Sequence, residues 1–326
     1  MLDAALVGLG WWGKNILKAV QGKSGKLRFV HGVSHEIDDA KPLAETHGFR
    51  LSGTLDAALD DSRVKAIVLA TPHSLHADQI VRVAAAGKPV FCEKPLALRR
   101  SDAQRAVDAC AKAAVVLAVG QNKRFWPSME ELRRVTASGA LGSLMHVEGH
   151  YSNENSSQHF SSWRVLASET PGAGMTGTGI HLLDAFVNVG GRVAELQAQF
   201  VSTRPAPDPR DTISVLLRFE NHISGLLGAV RASPFYWRVH VFGDEGSVEA
   251  IGETRTVLRL RGGKTEVRDF PARDSLLAEF DAFADAVSGE TPYPITPREM
   301  VDTIGAFEAI TRSLEKGAPV RLADLS

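Results

Sequence analysis

The chain has 326 residues, 44% of them hydrophobic and 23% charged, a composition typical of globular proteins and long enough for two domains. Its 37 basic and 38 acidic side chains leave a net charge of -1, so no charge excess recruits nucleic acid or an anionic membrane surface. Two cysteines, Cys92 and Cys110, argue against a disulfide scaffold. No apolar run reaches membrane-spanning length, and Met1 leads into a strand-like segment without a signal-peptide pattern, so a cytoplasmic protein is expected.

Residues 4–7 form a short apolar strand that runs into Gly8-Leu9-Gly10-Trp11-Trp12-Gly13 and then a helical stretch over 14–20. This is the dinucleotide-binding fingerprint in its required context of strand, glycine turn and helix. Gly8 permits the tight turn, Gly10 lets backbone approach a pyrophosphate, Gly13 lets helix and strand pack closely, and the helix start offers amides to the anion. Trp11 and Trp12 serve either as packing residues or as a cover for the cofactor. Alternation continues with a strand at 27–34, helices at 38–47 and 55–60, a buried strand at 66–70, a helix at 75–86, a strand at 89–92, a helix at 101–113 and a strand at 115–120. Such repeats predict a doubly wound parallel sheet with ligands at the carboxyl ends of its strands.

Three stretches fall at those ends: Gly8 to Gly13, Thr71-Pro72-His73-Ser74-Leu75-His76, and Glu93-Lys94-Pro95. At the end of the second strand, where an acid commonly takes the ribose hydroxyls of NAD, the run is Ser34-His35-Glu36. With His35 at that position nothing excludes a 2'-phosphate. With Glu36 turned in, NAD is favoured. The cofactor is NAD or NADP.

After Gly120 the pattern changes. An amphipathic helix at 129–137 leads into strands at 145–150, 196–203, 211–219, 222–230, 238–243, 247–251, 257–261 and 265–270, with hairpin signals at Glu220-Asn221, Gly243-Asp244-Glu245-Gly246 and Gly262-Gly263. One helix begins near Thr178, and two more are predicted at 275–287 and 297–316. Residues 204–209 read as an exposed loop. The expected organisation is a Rossmann domain over 1–120 followed by an α+β substrate-binding and oligomerisation domain over 121–326. The second domain is expected to carry a large, mostly antiparallel open sheet, and helix 297–316 is a candidate for packing back on the first domain. No metal site is expected: His146, Glu148 and His150 share a strand face and His73 lies near His76, but neither set has a recognised zinc pattern.

The order of motifs resembles the glucose-fructose oxidoreductase and inositol dehydrogenase (Gfo/Idh/MocA) family over nearly the whole chain. The matching stretches are Gly8 to Gly13, Thr71 to His76, the run from Ala86 to Ala97 containing Glu93-Lys94-Pro95, Asn122 with Arg124-Phe125, Gly139 to Gly142, and Gly179-Ile180-His181-Leu182-Leu183-Asp184. The resemblance implies an NAD(P)-dependent dehydrogenase acting on a CH-OH group of a sugar, cyclitol or related polyol, and a homo-oligomer assembled through the second sheet. It places Lys94 and His181 as catalytic residues, with Glu93 positioning Lys94. Gly8, Gly10, Trp11, Trp12, Gly13, Ser34, His35, Thr71, Pro72, His73, His76, Glu93, Lys94 and Asn122 are expected around the cofactor. Lys94, Arg124, Trp163, Arg164, Thr176, Thr178 and His181 are expected around the substrate. Thr176 and Thr178 have a second explanation as helix-start residues.

Removal of a hydroxyl proton as hydride leaves the carbinol needs a base within hydrogen-bond reach. Lysine suits the role where burial and a cationic cofactor ring lower its pKa, while a tight pair with Glu93 opposes that shift. One departure bears on this chemistry: many members of the family carry an aspartate four residues before the histidine, and this chain has Gly177 there. The alternatives are a dehydrogenase of a non-sugar cyclic diol, and a cofactor-binding regulator or scaffold without dehydrogenase activity.

Overall fold

In the computed structural model, which describes residues 1–157, 162–204, 208 and 210–325, the chain divides into two compact units. The first comprises Met1–Ala97, Ser101–Asn122 and Asp274–Met300, and the second Leu98–Arg100, Lys123–Arg273 and Val301–Ser326.

The first unit opens with β1 (Leu2–Val7), α1 (Trp11–Val20), β2 (Leu27–Val33), α2 (Ile37–His47), β3 (Arg50–Ser52), α3 (Leu55–Leu59) and β4 (Ala66–Leu69). It continues with α4 (His76–Ala85), β5 (Val90–Glu93), α5 (Arg100–Ala113) and β6 (Leu117–Gly120). The six strands form one parallel sheet in the order β3-β2-β1-β4-β5-β6. Every residue of β4, β5 and β6 is buried, the continuous apolar signature of a sheet covered on both faces. The strand order reverses between β1 and β4, and that switch point is where doubly wound sheets bind ligands.

The second unit carries α6 (Pro127–Ala137), β7 (Leu144–Asn153), α7 (Gly179–Gly190), β8 (Val193–Ser202), β9 (Asp211–Phe219), β10 (Ser224–Arg231), β11 (Tyr236–Gly243), β12 (Gly246–Ile251), β13 (Arg255–Leu260) and β14 (Glu266–Asp269). After α8 (Ser275–Ser288), which belongs to the first unit, come α9 (Pro297–Lys316) and β15 (Val320–Arg321). Nine strands form one sheet in the order β14-β13-β12-β11-β7-β10-β9-β8-β15, antiparallel except where β7 meets β10. Along β9 burial alternates strictly: Ile213, Val215, Leu217 and Phe219 are buried, whereas Leu216 on the other face is 61% exposed. One face is packed, with α6 over β12 and β13 and α7 over β7, β10 and β11. The expected hairpins at 220–221, 243–246 and 262–263 join antiparallel pairs.

Two strands and one helix depart from expectation. β3 and β15 are three and two residues long, too short for any period to register, and both sit at sheet edges. The helix that folds with the first unit is α8, whereas α9 from Val301 onward belongs to the second. The reason is aromatic: Phe280 lies 4.3 Å from Phe91 by ring centroid, and Phe283 lies 5.8 Å from the same ring. Lys26 adds an ion pair to Asp285 at 2.5 Å. α9 begins at a capping box in which Glu299 Oε2 accepts from the Thr296 amide at 2.8 Å and Thr296 Oγ1 accepts from the Glu299 amide at 3.2 Å. Of the expected loop at 204–209, residues 205–207 and 209 lie outside the described residues.

Candidate active site

In the first unit the glycine loop follows β1. Gly8 has φ 97°, and a Cβ there would stand 2.4 Å from Ala70 O; at Gly13 it would stand 1.9 Å from Gly8 O. Gly10 differs, because nothing lies within 4 Å of its Cβ position. Gly13 thus lets α1 close onto the loop, Gly8 lets the loop lie against the end of β4, and Gly10 leaves open space before the first turn of α1, which holds no acidic side chain. Open backbone at a helix amino end favours an anion, so these residues fit the pyrophosphate of a dinucleotide. Trp11 is 38% exposed and stacks at 5.4 Å on Trp12, whose buried Nε1 has no hydrogen-bond partner among the described residues.

At the end of β2, Ser34 Oγ accepts from the Glu36 amide at 3.1 Å, and both His35 and Glu36 are exposed. Beneath them lies a buried relay that the sequence did not suggest. His31 Nδ1 contacts Asp61 Oδ2 at 3.0 Å and Nε2 contacts Ser52 Oγ at 2.8 Å. Burial holds the His31 pKa down against the pull of Asp61. The Arg63 guanidinium, and then His31, hold the Asp61 carboxyl far below the usual carboxylate range.

The loops after β4 and β5 are tied together by His76, which is 0% exposed. Its ring nitrogens lie 2.8 Å from Pro95 O and 3.0 Å from Thr71 O. His76 therefore braces these two loops against each other. His73, also buried, packs edge-on against it at 5.9 Å, and the Thr71 hydroxyl donates to Gln79 Oε1 at 2.6 Å. Pro72, half-buried, leads into the turn at His73.

Glu93 is the last residue of β5 and pairs with Gly120 of β6. A Cβ on Gly120 would fall 2.9 Å from Glu93 Oε1, so the absence of a side chain there makes room for the carboxylate. Lys94, half-buried, follows directly, its amide donating to Glu93 Oε2 at 3.3 Å. Asn122 Nδ2 donates to Ser275 Oγ of α8 at 3.1 Å. One turn along α8 from Ser275 stands Glu279, 1% exposed, a buried acid that nothing in the sequence distinguished from the exposed acids of an amphipathic helix.

In the second unit His181 sits in the first turn of α7, 7% exposed, with its ring 6.3 Å from that of Tyr151. Three residues on, Asp184 accepts from Arg124 Nε at 2.6 Å and Nη2 at 3.0 Å, with both side chains about 5% exposed. Arg124 was expected to face the substrate; its guanidinium is instead buried in this bidentate pair and anchors α7. Thr176 and Thr178 are buried, and the Thr178 hydroxyl donates backwards to Gly174 O at 2.8 Å, so the expected N-cap bond is not made. Gly177 is exposed, with nothing within 4 Å of its Cβ position. Arg164 stacks its guanidinium 4.5 Å over the Trp163 ring.

Lys123 is a second residue the sequence gave no reason to single out. Its ammonium lies 3.9 Å from the Trp126 ring, 4.5 Å from Tyr151 and 5.2 Å from Trp237, an aromatic box built from three separate elements. His146 contacts Ser224 at 2.7 Å and Glu148 pairs with Arg238 at 2.5 Å. Among the described residues no three His, Cys, Asp or Glu side chains group as metal ligands, and no helix is long and apolar enough to cross a membrane.

Comparison with known proteins agrees with this geometry. Residues 2–121 match the oxidoreductase family with an NAD-binding Rossmann fold, and residues 129–249 match the GFO/IDH/MocA C-terminal domain. An inositol 2-dehydrogenase of Rhizobium meliloti is 27% identical, with 86% of this chain and 85% of the relative covered. A 2,7-anhydro-N-acetylneuraminate hydratase of Escherichia coli is 25% identical, with 82% of this chain and 72% of the relative covered. The WlbA dehydrogenase from Bordetella pertussis, solved with NADH and UDP-GlcNAcA, shares the fold with a TM-score of 0.84 at 22% identity, covering 98% of this chain and 97% of that one. With both of its domains matched in order, the chain belongs to the Gfo/Idh/MocA family and is an NAD-dependent oxidoreductase.

Proposed function

We propose that the protein transfers hydride between a nicotinamide cofactor and a secondary alcohol or ketone of a sugar, cyclitol or related polyol. The observation that carries this reading is the pairing of the glycine loop after β1 with a half-buried lysine, held behind a buried glutamate, at the end of β5 in the same parallel sheet. When bound, the cofactor accepts or returns the hydride. Lys94 takes the hydroxyl proton as the carbonyl forms and gives it back in the reverse direction. Glu93, fixed between β5 and β6, orients the Lys94 amine. In the second unit His181 is the candidate residue for the substrate, and Arg124 holds α7 so that His181 keeps its place. Trp163, Arg164, Thr176 and Thr178 complete the substrate face. The inositol dehydrogenase relative supports a ring polyol as the substrate class.

The test is a screen of cyclitols, sugars and non-sugar cyclic diols with NAD and with NADP, followed by nicotinamide absorbance. Turnover of a ring polyol that disappears in Lys94→Ala, with cofactor binding retained, supports the reading. Tight cofactor binding with no turnover of any polyol replaces it with a cofactor-binding regulator or scaffold, the alternative that Gly177 favours.

The same reading includes a homo-oligomer formed through the open face of the nine-stranded sheet. Leu216 at 61% and Val201 at 50% exposure leave apolar surface there of the kind that finds a partner.

A further inference from the structure

Glu279 is the most deeply buried acid in the first unit, and the mechanism above does not use it. Its side chain comes from α8, which Phe280 and Phe283 fix against Phe91 of β5. Its Oε2 is shut off from solvent and has no hydrogen-bond partner among the described residues. The charges that act on it are those of Glu93, at the end of β5, and Lys94, directly after it. Cys92, also on β5, feels the charge of Glu93 and of Cys110 on α5; burial, and then the charge of Glu93, push its thiol well above the ordinary range, so it stays neutral. Both carboxylates are buried, Glu279 at 1% and Glu93 at 5% exposure, whereas Lys94 is half-buried. Two like charges in such a place cannot both persist, and one carboxyl keeps a proton.

We propose that Glu279 is a proton-bearing positioning residue for Lys94: its buried carboxyl keeps the proton that leaves Glu93 as the single negative charge beside the ammonium. The electrostatics agree in direction. Burial, and then the Glu93 charge, push the Glu279 carboxyl well above the usual carboxylate range, with Lys94 pulling it back. A second anion at this place would hold the ammonium form of Lys94 more tightly and oppose its service as a base; the proton on Glu279 removes that opposition. This inference rests on Lys94 as the proposed base, but the proton itself is measured without turnover.

The experiment is denaturant unfolding of the wild type and Glu279→Gln across about pH 5 to 8. The unfolded chain ionises Glu279 near pH 4.3 whereas the folded chain keeps it protonated, so wild-type stability falls relative to the variant as pH rises. The expected change is roughly tenfold in the unfolding constant per pH unit until the folded carboxyl itself titrates. A difference that does not vary with pH overturns the proposal. The same pair compared in a Lys94→Met background, carried up to the pH at which the wild-type fall levels off, reads the coupling: with the ammonium gone, the levelling is expected at higher pH, and levelling at the same pH would make Glu279 a structural acid with no bearing on Lys94. Should Glu279→Gln fail to fold, infrared spectra of the wild type decide, since a protonated glutamic acid C=O band must persist above about pH 7; its absence overturns the proposal. Turnover in Lys94→Ala would remove the proposed base and leave these readings of the Glu279 proton standing.

Discussion

Replacing Asp184 by alanine leaves the Arg124 guanidinium buried without its bidentate acceptor. The pair consists of two charge-assisted bonds at 2.6 and 3.0 Å, a further 3.3 Å bond from Nη2 to the Asp184 carbonyl, and side chains at 6% and 5% exposure, so almost no water screens it. Removing one partner of such a pair costs about 3–5 kcal/mol, most of it the desolvation left uncompensated on the other partner, whereas a solvent-exposed pair would cost under about 1 kcal/mol. Urea denaturation of Asp184→Ala followed by tryptophan fluorescence measures the difference, because Trp126 and Trp237 are buried in this unit. Because Asp184 lies one turn after His181 on α7, substrate turnover is expected to fall as well, with cofactor affinity retained in the separate first unit. The double variant Arg124→Met with Asp184→Leu is expected to recover much of the stability, since a buried pair exchanged for packed apolar groups is often neutral. A loss below about 1 kcal/mol in Asp184→Ala would refute the buried-anchor role and return Arg124 to the substrate face.

Three further expectations rest on separate features. Gly177→Asp is sterically free, since nothing lies within 4 Å of the Cβ position, so it is expected to leave stability within about 0.5 kcal/mol of the wild type; higher turnover in this variant shows that the missing carboxylate limits the rate, and a clear loss of stability contradicts the open geometry. Asp61, held low by Arg63 and His31, contributes stability that is complete above its unfolded value near pH 3.9 and is lost as pH falls towards its depressed folded value; the stability gap between wild type and Asp61→Asn should therefore be constant at neutral pH and narrow only below about pH 4, and a gap that narrows between about pH 6 and 8 would contradict the assignment. Leu216→Glu puts a charge at a 61% exposed position on the open sheet face; light scattering should show smaller particles with unchanged thermal stability of the fold, and an unchanged mass would exclude this face as the interface.

The first sheet was legible because its signals are local. The glycines at 8 and 10 sit between a buried strand and a helix that holds the third at 13, and the fully apolar β4 admits few alternatives to a parallel core strand. The alternating burial of β9 likewise follows from period-two patterning. What escaped the sequence was partnership across long separations. Glu279 has the spacing of an ordinary polar helix residue, and only the docking of Phe280 on Phe91, nearly 190 positions earlier in the chain, puts it in the dark. Lys123 gains its setting from aromatics at 126, 151 and 237, which no periodicity connects. Arg124 and His76 owe their settings to long-range partners as well: the arginine pairs with Asp184, 60 positions on, and the histidine ties together the loops after β4 and β5. The strands β3 and β15, three and two residues long, are too short for a two-residue alternation to register.

The central claim is that Lys94 is the base of a polyol dehydrogenase, and the direct measurement is turnover and cofactor binding in Lys94→Ala, using a polyol that the wild type oxidises. Loss of a positioned general base is worth about 10²–10⁴ in rate, so the account predicts a fall of that order in kcat with the NAD dissociation constant little changed. Turnover in Lys94→Ala within about tenfold of the wild type, well above that range, would contradict it.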